Sequence, residues 1–159
     1  MTLDIGQLER FLVKAKTQTY AGDGKEIQPQ RPGFKELEFK EGDWEYRDSY
    51  AGFFLAPGQE IVRFQGIPIW AMAYNGGMFG KYHGDIDFAK QTFAFLKKAL
   101  LKIEESRPFR GPECLEEGDW VYVDESVGHT TGFQGEENIL YKGENVFKQM
   151  YLGGIIVPK

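Results

Sequence analysis

Two carboxylates, Asp48 and Glu60, are the side chains best placed for chemistry. In Trp44-Glu45-Tyr46-Arg47-Asp48-Ser49-Tyr50, strand alternation puts Asp48 on one face with Trp44, Tyr46 and Tyr50. Glu60 runs in phase with Val62 and Phe64 in the next segment. If the aromatic face is interior, both carboxyls are at least partly buried and must be paired, hydrogen-bonded or protonated. Side by side they would form an acid pair suited to general acid/base work, with Tyr20 or Arg63 in support. The other reading is structural: each carboxylate accepts bonds from tyrosine hydroxyls, arginine or loop amides and fixes the sheet. Asp124 and Glu137 repeat the pair later in the chain. That recurrence favours the structural role, because an active site is more often lost from one copy.

Other chemistry-bearing residues are sparse. His83 with Asp85 and Asp87 has a spacing that a metal can use, yet reads more simply as a loop histidine beside helix-capping carboxylates. Cys114 has no histidine near it in sequence, so a Cys-His nucleophile is not expected. Ala21-Gly22-Asp23-Gly24 lacks the Lys-Ser/Thr ending of a phosphate loop. No metal centre and no cofactor is implied. An aromatic set remains. Tyr20, Trp44, Tyr46, Tyr50, Trp70 and Tyr74, with Arg63 and Met72, are candidate ligand-binding residues; the rings serve equally well as core.

The elements that must position these residues follow from periodicity. Residues 3–16 read as a helix with Ile5, Leu8, Phe11, Leu12 and Ala15 on one face, capped by Thr2 or Asp4. Asp23-Gly24 marks a turn, and Pro29 and Pro32 an extended loop. Strands are expected over about 37–50, 59–65 and 69–74, the last ended by Asn75-Gly76-Gly77. A second helix is expected over about 86–104, capped by Asp85 or Asp87. Further strands are expected over about 115–125, 136–141 and 145–151, with Ile155-Ile156-Val157 apolar enough to join a sheet edge.

The halves read as copies. Glu41-Gly42-Asp43-Trp44 returns as Glu117-Gly118-Asp119-Trp120, Arg31-Pro32 as Arg107-Pro108, and Tyr74-Asn75-Gly76-Gly77 as Tyr151-Leu152-Gly153-Gly154. The expected fold is therefore α+β. It is an internal duplication of a helix plus three-stranded antiparallel meander, about 3–78 and 84–157, forming one pseudo-twofold domain over 1–159 with helices packed on a curved sheet. The copies differ at Tyr20 to Gly24, Tyr50, Arg63, Trp70 and Met72, and a site is expected there.

Composition bounds the partners. A net charge of −5, from 24 acidic and 19 basic residues, argues against direct nucleic-acid binding. One cysteine rules out an internal disulfide. No run approaches the roughly 20 apolar residues of a membrane span, and Met1-Thr2-Leu3-Asp4 does not open a signal peptide. A cytoplasmic protein with no membrane partner is expected.

The combination of Thr19-Tyr20-Ala21-Gly22-Asp23-Gly24, Arg31-Pro32-Gly33, Glu41 to Asp48, Gly58-Gln59-Glu60, Pro68 to Tyr74 and Arg107-Pro108-Phe109-Arg110-Gly111-Pro112 resembles the bacterial domain-of-unknown-function family 5680 over nearly the whole chain. That family often sits behind a helix-turn-helix of the Xre type, which implies a sensory or effector-binding role linked to transcriptional regulation through a partner. It implies no reaction and no catalytic residues. The leading expectation is a small-molecule-binding or sensory domain. The alternatives are an enzyme using Asp48 and Glu60, and a protein-interaction module that forms a homodimer or joins a regulator.

Overall fold

The computed structural model describes residues 3–157. It is an α+β fold in which two helices lie on one eight-stranded antiparallel sheet. The order of elements is α1 (Ile5–Gln18), β1 (Lys35–Glu41), β2 (Trp44–Tyr50), β3 (Gly58–Phe64), β4 (Ile67–Met78), α2 (Ile86–Leu100), β5 (Cys114–Glu117), β6 (Trp120–His129), β7 (Gly132–Tyr141) and β8 (Glu144–Ile155). Across the sheet the strands run β1-β2-β3-β4-β8-β7-β6-β5. The long strands β4 and β8 meet at the centre with Tyr74 opposite Tyr151. Among the described residues no helix is long and apolar enough to cross a membrane.

Both helices form where the apolar spacing places them, and both begin on an aspartate. Asp4 accepts from the Gln7 amide at 3.1 Å and Asp85 from the Phe88 amide at 3.0 Å, each satisfying a first-turn N–H that has no partner within its helix. Thr2, the other candidate cap, lies outside the described residues. α1 buries Leu8, Phe11, Leu12 and Ala15 over β1 and β2. α2 buries Phe95, Leu96, Ala99 and Leu100 and packs over β6. Full burial of a leucine such as Leu8 or Leu12 stabilises by about 1.5–3 kcal/mol, which is what docks α1.

Three expectations need correction. The strand expected over 37–50 is two strands, and so is the one over 115–125. Glu41-Gly42-Asp43-Trp44 and Glu117-Gly118-Asp119-Trp120 are tight hairpin turns, with Gly42 at φ 56° and Gly118 at φ 60°. A left-handed residue there reverses the chain, so four strands stand in each half where three were expected. Conversely, Asn75-Gly76-Gly77 does not end a strand, since β4 continues to Met78. Gly76 and Gly77 mark close backbone approach. A Cβ on Gly76 would fall 2.2 Å from the Lys148 carbonyl oxygen, and one on Gly77 would fall 2.0 Å from that of Phe54. Ile155 closes β8 inside the sheet, beside Trp70 of β4, and does not lie on an edge.

Two other glycines make room for tyrosines. Gly58 faces Tyr74 and Gly135 faces Tyr151 in the strand register. A Cβ on either would fall 2.3 Å from the facing hydroxyl. Each tyrosine thus lies flat across its glycine and carries its hydroxyl to a buried carboxylate. Gly135→Ala is expected to lower stability by roughly 1–3 kcal/mol, the cost of overpacking a filled core. Thermal unfolding of the variant checks this, and an unchanged midpoint would mean that the Tyr151 ring moves aside freely.

Candidate functional site

The helix-covered face of the sheet is apolar at its ends and polar in its middle. Asp48 of β2 lies directly opposite Glu60 of β3, and Asp124 of β6 opposite Glu137 of β7. All four are buried, Asp48 at 4% exposure and Glu60 at 2%. Carboxyls so placed are held by specific partners, because burial without them costs several kcal/mol.

The second pair is tightly held. The Tyr151 hydroxyl donates to Asp124 Oδ1 at 2.8 Å and Arg107 Nη2 to Oδ2 at 2.7 Å. Glu137 Oε1 accepts from Arg110 Nε at 2.9 Å, Arg110 Nη2 at 2.7 Å and Gln149 Nε2 at 3.0 Å. Glu137 Oε2 accepts from the Tyr122 hydroxyl at 2.7 Å. The segment Arg107–Gly111, between α2 and β5, supplies both arginines and packs the Gly111 amide on the Tyr122 hydroxyl.

The first pair is held more loosely. Tyr74 donates to Asp48 Oδ1 at 2.7 Å. Lys16, from the last turn of α1, sits 2.5 Å from Glu60 Oε2 and donates to the Phe109 carbonyl at 2.6 Å. Arg110 Nη1 stands 3.8 Å from Glu60 Oε1, too far for a hydrogen bond. No arginine reaches Asp48 as Arg107 reaches Asp124. Arg31 is exposed instead, bonded to Gln59 at 3.2 Å.

Titration follows from this geometry. Burial, reinforced by the charge of Glu60, pushes the Asp48 carboxyl up to about 7. Burial and the charge of Glu137 push Asp124 up to about 7. Burial lowers Lys16 against the pull of Glu60. For Arg110, burial opposes the charge, and Glu137 and Glu60 outweigh it and keep the guanidinium ionised. Four carboxyls thus face three cations, Lys16, Arg107 and Arg110, and the excess negative charge is relieved as each raised aspartate takes up a proton near neutral pH.

Surface clefts of about 570 Å³ over Gln134, Met150 and Leu152 and of about 410 Å³ along Arg107, Gly111 and Cys114 lie elsewhere on the molecule, and beside the first pair space opens against the carboxyl itself. A chamber of about 50 Å³ is lined by Asp48, Tyr74, Arg110, Gln149, Tyr20, Tyr50, Ala56 and Leu96. A smaller void of about 20 Å³ lies deeper, against Lys16, Tyr46 and Glu60. Outside the chamber runs a groove of about 500 Å³ between α2, the turn after α1 and the loop after β2. Groove and chamber share Tyr20, Tyr50, Ala56 and Leu96, which form the throat between them. Tyr20 and Tyr50 meet edge to face there, with centroids 6.1 Å apart, and burial pushes the Tyr20 hydroxyl up to about 12.

The residues singled out from sequence scatter around this space. Tyr20, Tyr50 and Tyr74 line the chamber, and Tyr46 lines the deeper void. Trp44 packs on Phe11 and Phe64 at the rim of the core. Trp70 and Met72 are fully buried, and Trp70 Nε1 donates to the Thr130 carbonyl at 3.1 Å. Arg63 belongs to the opposite face of the sheet and pairs with Glu45 at 3.1 Å. His83 Nε2 lies 3.0 Å from the Met78 carbonyl, and its ring stacks on Phe54. Sequence reasoning did not pick out Lys16, Arg110, Gln149, Ala56 or Leu96. Lys16 left a trace, since it stands four residues after Leu12 on the apolar stripe of α1, where a lysine must find a buried partner.

A family model described as Domain of unknown function (DUF5680) matches residues 48–156. The matched span holds Asp48, Glu60, Tyr74, Arg110 and Gln149, while Lys16 and Tyr20 precede it. No curated protein and no solved structure matches the chain.

Proposed function

The chain belongs to the family described as Domain of unknown function (DUF5680), and on that footing we propose that it is a small-molecule-binding, sensory domain. The observation that carries this reading is the throat-linked chamber and groove, which end on buried polar groups with unused capacity. Arg110 spends Nε and Nη2 on Glu137, leaving Nη1 toward Glu60 without a hydrogen bond. Asp48 receives one hydrogen bond, at Oδ1. A ligand body in the groove with one polar group in the chamber would meet both. A largely apolar cleft with a few convergent polar groups is the usual form of such sites.

The strand order and the two carboxyl pairs support a reading of the chain as a duplication with a pseudo-twofold axis between β4 and β8. In that reading Arg107–Gly111 plugs the second half. The corresponding segment around Arg31 leaves the first half open, so one copy is framework and the other is a site. Occupancy would act on transcriptional regulation through a partner or a second copy.

Thermal-shift screening of a metabolite library tests the proposal, with Ala56→Phe as a variant that plugs the throat. At least one compound is expected to raise the melting temperature of the native protein, by about 2.7 kcal/mol of stabilisation at a hundredfold excess over Kd, and to lose most of that effect in the variant. Hits that stabilise both proteins equally, or no hits at all, would count against the chamber.

One observation favours a second reading. Asp48 and Glu60 face each other beside the chamber, with the Asp48 carboxyl raised to about 7, as acid/base catalysis at neutral pH requires. In an enzyme, Glu60→Gln would abolish turnover of a chamber ligand and leave the fold intact.

A further inference from the structure

We infer that the groove takes a small aromatic anion. The inference rests on the site proposed above and names its ligand class. The groove is lined by Lys35, Lys90, Lys97 and Lys98 against a single acid, Asp23. In a chain of net charge −5, that makes it a local concentration of positive charge, and such a cleft draws in ions of the opposite sign. The lysines are not all engaged. Lys98 pairs with Glu117, Lys97 with Asp23, and Lys35 lies 3.6 Å from Glu26. Lys90 has no ion pair among the described residues. Lys90, Phe93 and Lys97 follow one another at helical spacing along the groove side of α2, so cation and ring alternate on one wall.

The other walls are aromatic. Phe53, from the loop after β2, meets Phe93 edge to face with centroids 5.4 Å apart, and Tyr20 meets Tyr50 in the same way. Edge-to-face pairs leave ring faces and edges open to a further flat ring, which gains by stacking on one or abutting the other. The Lys97 ammonium already lies 4.9 Å above the Tyr20 ring. A ligand anion would replace Asp23, which is exposed, as its partner. A volume of about 500 Å³ suits a body of one or two rings, and the chamber of about 50 Å³ below admits a single polar substituent. Lysines at the rim, rings on the walls and one polar anchor at the base describe an aryl carboxylate, sulfonate or phosphate.

The test uses two probes of the same shape and different charge, 8-anilinonaphthalene-1-sulfonate and its uncharged analogue N-phenyl-1-naphthylamine, followed by fluorescence. The anion is expected to bind one site on the native protein and to weaken as salt rises from low to high ionic strength. It should weaken roughly five- to tenfold when Lys90→Gln and Lys97→Gln are combined. The uncharged probe should be insensitive to both changes. Ala94→Trp, which fills the groove, should abolish binding of the anion. Met150→Ser, among the exposed Val127, Met150 and Leu152 on the opposite face of the sheet, should leave it unchanged. If Ala94→Trp removes the uncharged probe while the lysine substitutions leave the anion untouched, the groove is a site and the assignment to anions is wrong. If Ala94→Trp affects neither probe, both the ligand class and the groove itself fall.

Discussion

Replacing Arg110 with methionine is expected to lower the free energy of unfolding by about 3–5 kcal/mol, the usual cost of removing one partner from a buried ionic network. The magnitude follows from what the side chain leaves behind. Two of its nitrogens serve Glu137 Oε1, at 2.9 and 2.7 Å, and a third stands 3.8 Å from Glu60 Oε1. Both glutamates are buried, at 0% and 2% exposure. Methionine fills most of the arginine stem's volume, so the loss is electrostatic and not a cavity effect. Glu137 would keep the Tyr122 hydroxyl and Gln149, while Glu60 would keep Lys16 alone. Urea unfolding measures the change. Adding Glu137→Gln to the methionine variant should recover part of the loss, since the charge left unpaired is then removed as well. A loss below about 1 kcal/mol would show that water enters the cluster and screens it.

The residues of this network show how far the sequence could be read. The phase of Trp44, Tyr46, Asp48 and Tyr50 is local, and alternation alone places Asp48 on the buried face; the register that sets it opposite Glu60 comes from the pairing of β2 with β3. The same phrase hid its own boundary. Glu41-Gly42-Asp43-Trp44 looks like a strand start because its aromatic is in phase, whereas the turn depends on the left-handed conformation of Gly42, which no periodicity reports. Gly76 and Gly77 misled in the opposite direction, because glycine serves a turn and a crowded strand equally well. Lys16 and Arg110 lay beyond reach for a different reason. Their partners come from other elements, Lys16 meeting Phe109 and Glu60 only after α1 docks, and Arg110 crossing to Glu137 of β7. Arg31 and Arg107 head similar phrases, yet one is exposed and the other grips Asp124.

Asp48→Asn is expected to stabilise the protein at pH 8 by about 2–4 kcal/mol and at pH 5 by roughly a third as much. Burial and Glu60 raise the Asp48 carboxyl in the folded chain to about 7, against about 3.9 when unfolded. Between those values the folded protein holds a proton that the unfolded chain has lost, so stability falls as pH rises through the window. Below pH 4 the contribution is fully present, and above pH 7 it is gone. Asp124, raised to about 7, adds a second slope of the same sign in the same window. Glu36, Glu38 and Glu136 are lowered in the folded chain and act the other way, with a contribution lost only as pH falls below the ordinary glutamate range. The curve of stability against pH should therefore peak in mildly acidic solution and decline toward neutrality. Asparagine has the shape of the protonated acid and still accepts from Tyr74, so the variant should decline less steeply, and Asp124 alone should set what slope remains. Denaturant unfolding at pH 5, 6.5 and 8 reads the slope directly. If Asp48→Asn instead destabilises equally at all three values, Asp48 is ionised throughout and Arg110, Lys16 and Tyr74 hold it so. The chamber would then present a fixed negative charge at its base, and a ligand's inner group would have to be a hydrogen-bond donor. If the slope flattens as expected, the same wall offers a proton to donate near neutral pH and a carboxylate to accept above it, and binding in the chamber should carry that pH dependence.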